Sequence, residues 1–424
     1  MSAPLRVLVA TDAFPPVCGG SGWSTWELTR GLRERGHHVE VVKIEIAAPA
    51  GIERTTYEGV PVAVVRQPAP NLPVVRNVVK NERLWARLTD YLGDRLRREP
   101  FDIVHGQHVM TTVPAIRAGE AAGVPSVATV RDYWPVCYWS DLIVDPDSPA
   151  LCPGCSVSMM RQCVRPRAGG AAAAAWSVIP YMRANLRTKR RTLARAGAIV
   201  AVSSAIARDL RARAPELGDA PVFTIPNPVD MRALDEARLR APRPIDEPYA
   251  LYAGKLATNK GVQFLLPAWE QAGSDLPLVV VGDGPLRADL QAEAGRRGMD
   301  VRCLGWRHRE EVWRWMRHAR LLAFPSYGPE SLSRVLIEAA ALAVPIAAMH
   351  TGGTGDIVEH GVSGLLSADP AGFAADLARL AGDERLGAAL GAQARTRAHE
   401  RFAAPSVIER IEQVYRGLLQ PRAA

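Results

Sequence analysis

Two carboxylates, Glu330 and Glu338, stand eight residues apart in the stretch "GPESLSRVLIEAAALAVPIAAMHTGGTG", residues 328–355. At about 100° per residue, that spacing overshoots two helical turns by about 80°, so the two acids cannot share one helix face. The pattern predicts Glu330 in a loop, Ser331 or Ser333 as N-cap, and Glu338 inside a helix. Leu332, Val335, Leu336 and Ala339 would be its buried stripe. Both acids then lie near a helix N-terminus, whose unpaired N–H groups favour an anionic ligand. A helix with one solvated glutamate and one ordinary capping-region glutamate fits the same letters.

The other residues able to do chemistry fall at the ends of short apolar runs. Gly19 and Gly20 follow "RVLVATD"; His105 and His108 end "FDIVHGQH"; Arg131 and Asp132 close "PSVATVRD"; Ser203 and Ser204 close "AIVAVSS". In the second half, Gly254 and Lys255, Gly282-Asp283-Gly284, Glu330, and Gly352 with Gly353 hold the same position, with Lys260 and Thr354 shortly after. Taken singly, Gly282-Asp283-Gly284-Pro285 reads as a turn and either lysine as a surface residue. Their joint placement at strand ends points to a ligand.

Strands alternating with helical patterns predict a parallel, doubly wound sheet, and the plan occurs twice. The expected fold is α/β, with two doubly wound Rossmann-like domains facing a central cleft lined by loops at the carboxyl ends of the strands. A proline-marked segment from Pro226 to Pro248 reads as the hinge, dividing domains at 1–229 and 230–404. The first helix is expected from Ser24 to Arg35, stopping at Gly36. At the end of the chain Val407, Ile408, Ile411, Val414, Tyr415, Leu418 and Leu419 form a helical stripe.

With 424 residues, 48% hydrophobic and 23% charged, the chain suits two or three domains of a soluble α/β protein. The first apolar run has strand length, so neither a leader nor a membrane span is expected, and the cysteines should stay reduced in the cytoplasm. The net charge of +8 is uneven: residues 1–229 hold 28 of the 52 Lys and Arg against 20 of the 44 Asp and Glu, leaving 24 of each beyond. Much of the surplus lies in "RANLRTKRRTLAR" (183–195), directly after the apolar "AAAAAWSVIPYM" (171–182). The pair reads either as an interfacial segment holding the protein peripherally on an anionic inner membrane face, or as a buried helix followed by a solvated basic one. Nothing resembling a nucleic-acid recognition motif accompanies the charge.

A stretch at about 135–182 holds Cys137, Cys152, Cys155 and Cys163, spaced C-x14-C-x2-C-x7-C. Four thiolates at such spacing suit a structural zinc ion. Unligated thiols, a disulfide or an iron–sulfur cluster fit the same spacing. Cys18 and Cys303 stand apart.

The segments "PPVCGG", "TIPNPVD", "YAGKLATNKG", "VVVGDGP", "FPSYGPESL…IEA" and "TGGTGDIVEHGVSGLL", in this order, resemble the retaining nucleotide-sugar glycosyltransferases of family 4, which have the GT-B fold. The resemblance covers nearly the whole chain, with an insertion at about 135–182. It implies an acceptor-binding domain over 1–229, a nucleotide-sugar-binding domain over 230–404, and a last helix, 405–424, that crosses back to the first domain. It implies a UDP- or GDP-linked sugar donor and a glycan, lipid-linked or small-molecule acceptor, as in polysaccharide and cell-envelope biosynthesis.

In retaining transfer an oxocarbenium-like centre forms while a diphosphate leaves, and Lys255 and Lys260 are the natural cations for that charge. The N–H groups of Gly352, Gly353 and Thr354 would add donors. By the resemblance, Glu338 would hold the ribose hydroxyls and Glu330 the donor sugar, with Gly19, Gly20, Gly254, Gly282 and Gly284 allowing close backbone approach. Two acids gripping opposite ends of one ligand need different directions. No acidic pair for a catalytic metal is visible, so metal-independent transfer is expected. One departure stands out: Arg131 occupies the place of a family histidine. Arginine stays charged, so it would serve phosphate or an anionic acceptor, or simply pair with Asp132. His105 and His108 are candidate substitutes. Two other readings compete, a sugar-nucleotide epimerase of the same fold and a zinc-containing basic binding module.

Overall fold

Short strands, most of them buried and bounded by helices, form two largely parallel sheets. The computed structural model describes residues 3–70, 79–146, 151–168, 175–240 and 242–420. The first sheet comprises β1 (Arg6–Thr11), β2 (His38–Glu45), β3 (Gly51–Tyr57), β4 (Val60–Arg66), β5 (Ile103–Gly106), β6 (Ser126–Val130), β7 (Ala198–Ala201) and β8 (Val222–Thr224). Its order is β3-β4-β2-β1-β5-β6-β7-β8. Every neighbour pair is parallel except β3 on β4, which turn through Glu58 and Gly59, both at positive φ.

Residue alternation along β1 serves two cores. Val7 and Val9 face a cluster with Trp26, Leu28 and Leu32 of the helix Gly20–Glu34 and with Val407, Ile408, Ile411 and Tyr415 of the helix Ala404–Leu419. Leu8 and Ala10 face Leu84, Leu88 and Leu92 of the helix Leu84–Arg98 and Ala115 and Ala118 of the helix Val109–Ala122. A strand covered on both sides has no polar face to show, which is why it reads as a continuous apolar run.

The second sheet comprises β9 (Ala250–Ala253), β10 (Leu278–Val281), β11 (Val301–Gly305), β12 (Leu321–Phe324), β13 (Ile346–Met349) and β14 (Leu365–Ser367), all parallel in the order β11-β10-β9-β12-β13-β14. Leu265, Leu266 and Trp269 from one helix and Phe373, Leu377 and Leu380 from another fill its core with Val280, Leu321 and Ala347.

The chain divides into two compact units, one of Met1–Ser140, Ser177–Val229 and Ala404–Ala424, the other of Asp141–Trp176 and Asp230–Ala403. Most of the cysteine-containing stretch therefore groups with the second unit, whereas the sequence placed it as an insertion in the first. The expected hinge is partly helical: Met231–Arg240 forms a helix, and its Asp235 accepts a hydrogen bond from Arg395 at 2.5 Å. The first helix begins at Gly20, four residues before the expected Ser24. Ser24 does not cap it, because its hydroxyl donates back to Gly20 O at 3.0 Å.

Part of the apolar segment at 171–182 lies outside the described residues. The basic stretch after it is a helix, Ile179–Leu193, with two faces. Arg183, Arg187 and Arg191 are exposed, while Lys189 is buried; Arg190 donates to Pro135 O at 2.7 Å and pairs with Glu216 at 3.3 Å. The charge run is thus not one solvated patch. Among the described residues, no helix is long and apolar enough to cross a membrane.

Candidate active site

In the second unit, the loops after β9, β10, β12 and β13 carry the predicted residues, and close backbone approach explains their glycines. A Cβ on Gly282 would stand 1.8 Å from Gly254 O, and one on Gly284 would stand 2.3 Å from Leu256 O. Gly254 N–H donates to Val281 O at 3.0 Å, and Leu256 N–H to Asp283 O at 2.9 Å. The loop after β9 is thereby laced to the loop after β10. Lys255 projects from this lacing, exposed, with no side-chain hydrogen bond or ion pair among the described residues.

Glu330 is the centre of the next group. It is 8% exposed, and its Oε1 accepts from Lys260 Nζ and from Ser326 Oγ, the latter at 2.7 Å. Its carbonyl accepts the Gly353 N–H at 2.6 Å. Gly352 makes this possible: its φ is +51°, and a Cβ there would lie 2.0 Å from Glu330 O. The Thr351 hydroxyl donates to Tyr327 O and Gly328 O at 3.2 and 3.3 Å, and Thr351 N–H donates to Thr354 Oγ1 at 2.9 Å. Loops after β12 and β13 therefore form one bonded body that fixes the Glu330 backbone.

Glu338 is in the helix Arg334–Ala341, which is capped by Ser333 accepting from Leu336 N at 3.4 Å. It is 6% exposed, and Arg334 and Arg309 approach its Oε1 at 2.9 and 3.4 Å. Two cations hold this carboxylate in a fixed orientation. The structure thus gives the two acids separate directions and separate cationic partners. Sequence reasoning missed Arg334 and Arg309. Arg334, four residues before Glu338, was open to detection as a helical ion pair.

The first unit holds a second polar group at the ends of β1, β5 and β6. Arg131 is 7% exposed; its Nε donates to Asn227 Oδ1 at 2.9 Å, and its Nη1 to Thr25 Oγ1 at 2.8 Å and Ser21 O at 3.2 Å. It joins the end of β6 to the first turn of the helix Gly20–Glu34 and to the "TIPNP" loop, a bracing role the sequence did not suggest. Gly20 opens that helix and Gly19 is its N-cap, with open space where a Cβ on Gly19 would stand.

Burial raises the Asp12 carboxyl to about 7, helped by the nearby charge of Asp132, and raises Asp132 itself to about 6. Asp12 accepts from Thr111 Oγ1 at 3.3 Å and faces His108 Nδ1 at 3.9 Å. Burial, then the charge of Arg131, lowers both His105 and His108 to about 3, so both are neutral. Burial also lowers Lys189 to about 8, against the pull of Asp132.

His105 is a core residue. Its ring lies between Tyr415 OH at 2.6 Å and Thr129 Oγ1 at 2.7 Å and is fully buried, so it does not substitute for the missing family histidine. His108 stays with the polar group. Asp12, Thr111, Asn227 and Lys189 were not singled out from sequence. Asp12 directly follows a strand and was legible; Lys189 was hidden in a charge run.

Among the described residues, no group of three His, Cys, Asp or Glu side chains is placed to hold a metal ion. Cys163 is buried within the helix Val157–Ala168, its Sγ donating to Met160 O at 3.4 Å, and Cys152 Sγ donates to Gly154 O at 3.3 Å. Cys137 belongs to the first unit and the other three to the second. The zinc site that the spacing suggested is therefore not formed among the described residues.

Two Rossmann-like units with loaded strand ends define a class, and solved structures share it. Sucrose-phosphate synthase from Thermosynechococcus elongatus superposes with a TM-score of 0.71 at 19% identity, covering 98% of this chain and 99% of that one. Anabaena HepE in complex with UDP-glucose superposes with a TM-score of 0.66 at 18% identity, covering 97% and 100%. At these identities the likeness is one of fold, and the fold is GT-B.

Residues 18–233, just over half the chain, match Glycosyltransferase Family 4, and residues 247–383 match Glycosyl transferases group 1. The chain belongs to glycosyltransferase family 4 and is a glycosyltransferase. A D-inositol 3-phosphate glycosyltransferase from Xylanimonas cellulosilytica is 27% identical over 96% of this chain and 93% of its own length. The epimerase and basic-module readings give way to this one.

Proposed function

We propose that the protein transfers a sugar, with retention, from a nucleoside-diphosphate donor bound by the second unit to a hydroxyl-bearing acceptor bound by the first. The observation that carries the reading is the bonded body around Glu330, in which one buried carboxylate meets Lys260 and a glycine-enforced backbone contact. In it, Glu330 orients the hydroxyls of the donor sugar. Lys255 and Lys260 meet the diphosphate, with N–H groups of Gly353 and Thr354 beside them, so charge developing on the leaving group is met by positioned cations. Glu338, held by Arg334 and Arg309, takes the ribose hydroxyls. HepE, solved with UDP-glucose, makes a uridine-linked donor the first to test.

In the first unit, Asp12, Asp132, His108 and Lys189 form the acceptor side, with Arg131 bracing it. Two carboxyls with raised pKa values beside a neutral imidazole suit a polyhydroxyl acceptor, because each is able to donate or accept a hydrogen bond. A small polyol fits this description, as does a glycan or the sugar head of a lipid-linked acceptor. The exposed face of Arg183, Arg187 and Arg191 suits an anionic membrane surface bearing such an acceptor.

The test is kinetic. Glu338→Ala should raise the donor KM tenfold or more, while Glu330→Ala should lower kcat at saturating donor by about 100-fold. Radiolabelled UDP-sugars with a polyol and glycan panel would supply the assay. Two variants with parental constants would remove the site assignment.

A further inference from the structure

The second unit carries a basic pocket at the opposite ends of its strands from the candidate active site. It encloses about 330 Å³ where β9, β12 and β13 begin, lined by Pro248, Arg320 and Pro345 just ahead of those strands. Arg243, Arg317 and Arg320 supply its charge, with His318 beside them and Glu384 the one carboxylate in the lining. Glu384, Gly387 and Ala388 belong to the first turns of the helix Glu384–Phe402, so its N-terminal dipole points the same way as the arginines.

The cations here have more charge than partners. Arg317 is partly buried, and its Nε donates only to a neutral acceptor, Arg238 O, at 3.1 Å. Burial lowers its pKa, and the charges of Arg238 and Arg395 lower it further, so like charges crowd this wall. Arg395 is answered by Asp235 at 2.5 Å. Arg320 Nη2 donates to Ala381 O at 3.2 Å, its Nη1 reaches Glu384 Oε1 at 3.1 Å, and its Nε is buried without a hydrogen-bond partner. Glu384 is a weak answer to three arginines: its side chain is 84% exposed, and solvent-exposed pairs of this kind hold little energy.

We propose that this pocket binds a phosphate-type oxyanion, held by Arg243, Arg317 and Arg320, which displaces the Glu384 carboxylate from Arg320. Guanidinium forks match phosphate oxygens bidentately, and three such charges on one hollow suit the higher charge and extra acceptor oxygens of a phosphate better than a single carboxylate. The volume leaves room for more than a single phosphate. Glu384 then acts as a tethered competitor: it occupies Arg320 when the anion is absent and swings into water when it arrives. The site is separate from the donor site, since no residue of the loops after β9, β10, β12 and β13 lines it.

Isothermal titration of the full-length protein with inorganic pyrophosphate tests this, run in parallel on a Lys255→Ala background to silence the donor site. The double variant Arg243→Gln with Arg317→Gln should weaken binding at least tenfold on that background. Glu384→Gln should tighten it about threefold, because the competitor is neutralised. Arg243 and Glu384 are both exposed, so their single variants carry the test if Arg317→Gln fails to fold. Displacement of pyrophosphate by inorganic phosphate would support the free ion as ligand. Displacement by a nucleotide but not by phosphate would support a larger phosphate-bearing molecule at the same arginines. Binding that is lost with Lys255→Ala alone, or unchanged in both the arginine and Glu384 variants, would overturn the proposal.

Discussion

Gly352→Ala perturbs the Glu330 site through a single methyl group, and its consequences can be worked out from three numbers. Gly352 has φ +51°, a Cβ there would stand 2.0 Å from Glu330 O, and that same oxygen accepts Gly353 N–H at 2.6 Å. An L-residue in the left-handed region costs about 1 kcal/mol. Ordinary contact lies near 3.5 Å, so the two loops must part by roughly 1.5 Å. That motion breaks the Gly353–Glu330 hydrogen bond, a further loss of about 1 kcal/mol. The sum, about 2 kcal/mol, corresponds to a fall in Tm of roughly 4–8 °C for a unit of this size. Turnover should suffer more if Glu330 orients the donor as proposed, because moving such a carboxylate by about 1 Å costs about 100-fold in rate.

Gly361 supplies the control. Its φ is +75°, yet a Cβ there would meet nothing within 4 Å. Gly361→Ala therefore carries the backbone strain without the collision, and should lose about 1 kcal/mol with kcat/KM unchanged. Differential scanning calorimetry and donor-dependent kinetics on the pair separate the two contributions. If Gly352→Ala matches Gly361→Ala in both Tm and kcat/KM, then the close approach to Glu330 does not set the site, and the argument from the bonded loops fails.

Further outcomes follow from the first unit. Asp12 has a folded pKa of about 7 against an ordinary 3.8, so its contribution to stability is full below about 3.8 and is lost as pH rises toward 7. His105 and His108, neutral in the fold with pKa about 3, act in the opposite sense: their contribution is present above about 6.5 and lost as pH falls toward 3. Asp12→Asn removes only the first effect, so the difference in Tm between parent and variant should change steadily from pH 4 to 7; parallel profiles would refute the burial of Asp12. On the helix Ile179–Leu193, Arg190→Ala should destabilise by about 1–2 kcal/mol, because the Pro135 carbonyl loses a charged donor. Arg187→Ala with Arg191→Ala should leave Tm within a degree while reducing co-sedimentation with anionic vesicles at low salt; unchanged sedimentation would make that face a solvated one.

The sheets were legible because each core strand is an unbroken apolar run, and a strand covered on both faces needs no alternation to be recognised. The strand-end loops were legible for a related reason. A glycine pair such as Gly282 and Gly284, or Gly352, marks where one backbone must touch another, and that demand survives in the letters. What was lost is the sorting of charges by direction. Lys189 sits among Arg183, Arg187, Arg190, Arg191 and Arg195, and by composition it belongs to a basic surface. Its helical phase says otherwise, since Met182, Leu186, Lys189 and Leu193 recur at four, three and four residues and all are buried. A lysine on an apolar stripe must find a partner there, and Asp132 is near enough to raise its pKa against burial. Arg131 was ambiguous for a different reason: its partners, Thr25 and Asn227, lie about a hundred residues away on either side, and no local spacing records them. The cysteines show the converse. Their spacing suggested one assembled centre, but Cys163 falls mid-helix, where its thiol donates to Met160 O, and among the described residues no group of three His, Cys, Asp or Glu side chains is placed to hold a metal ion. Sequence spacing reports which side chains a single element can bring together. Which side chains several elements bring together depends on register and phase, and in this chain that is where the polar group of the first unit was hidden.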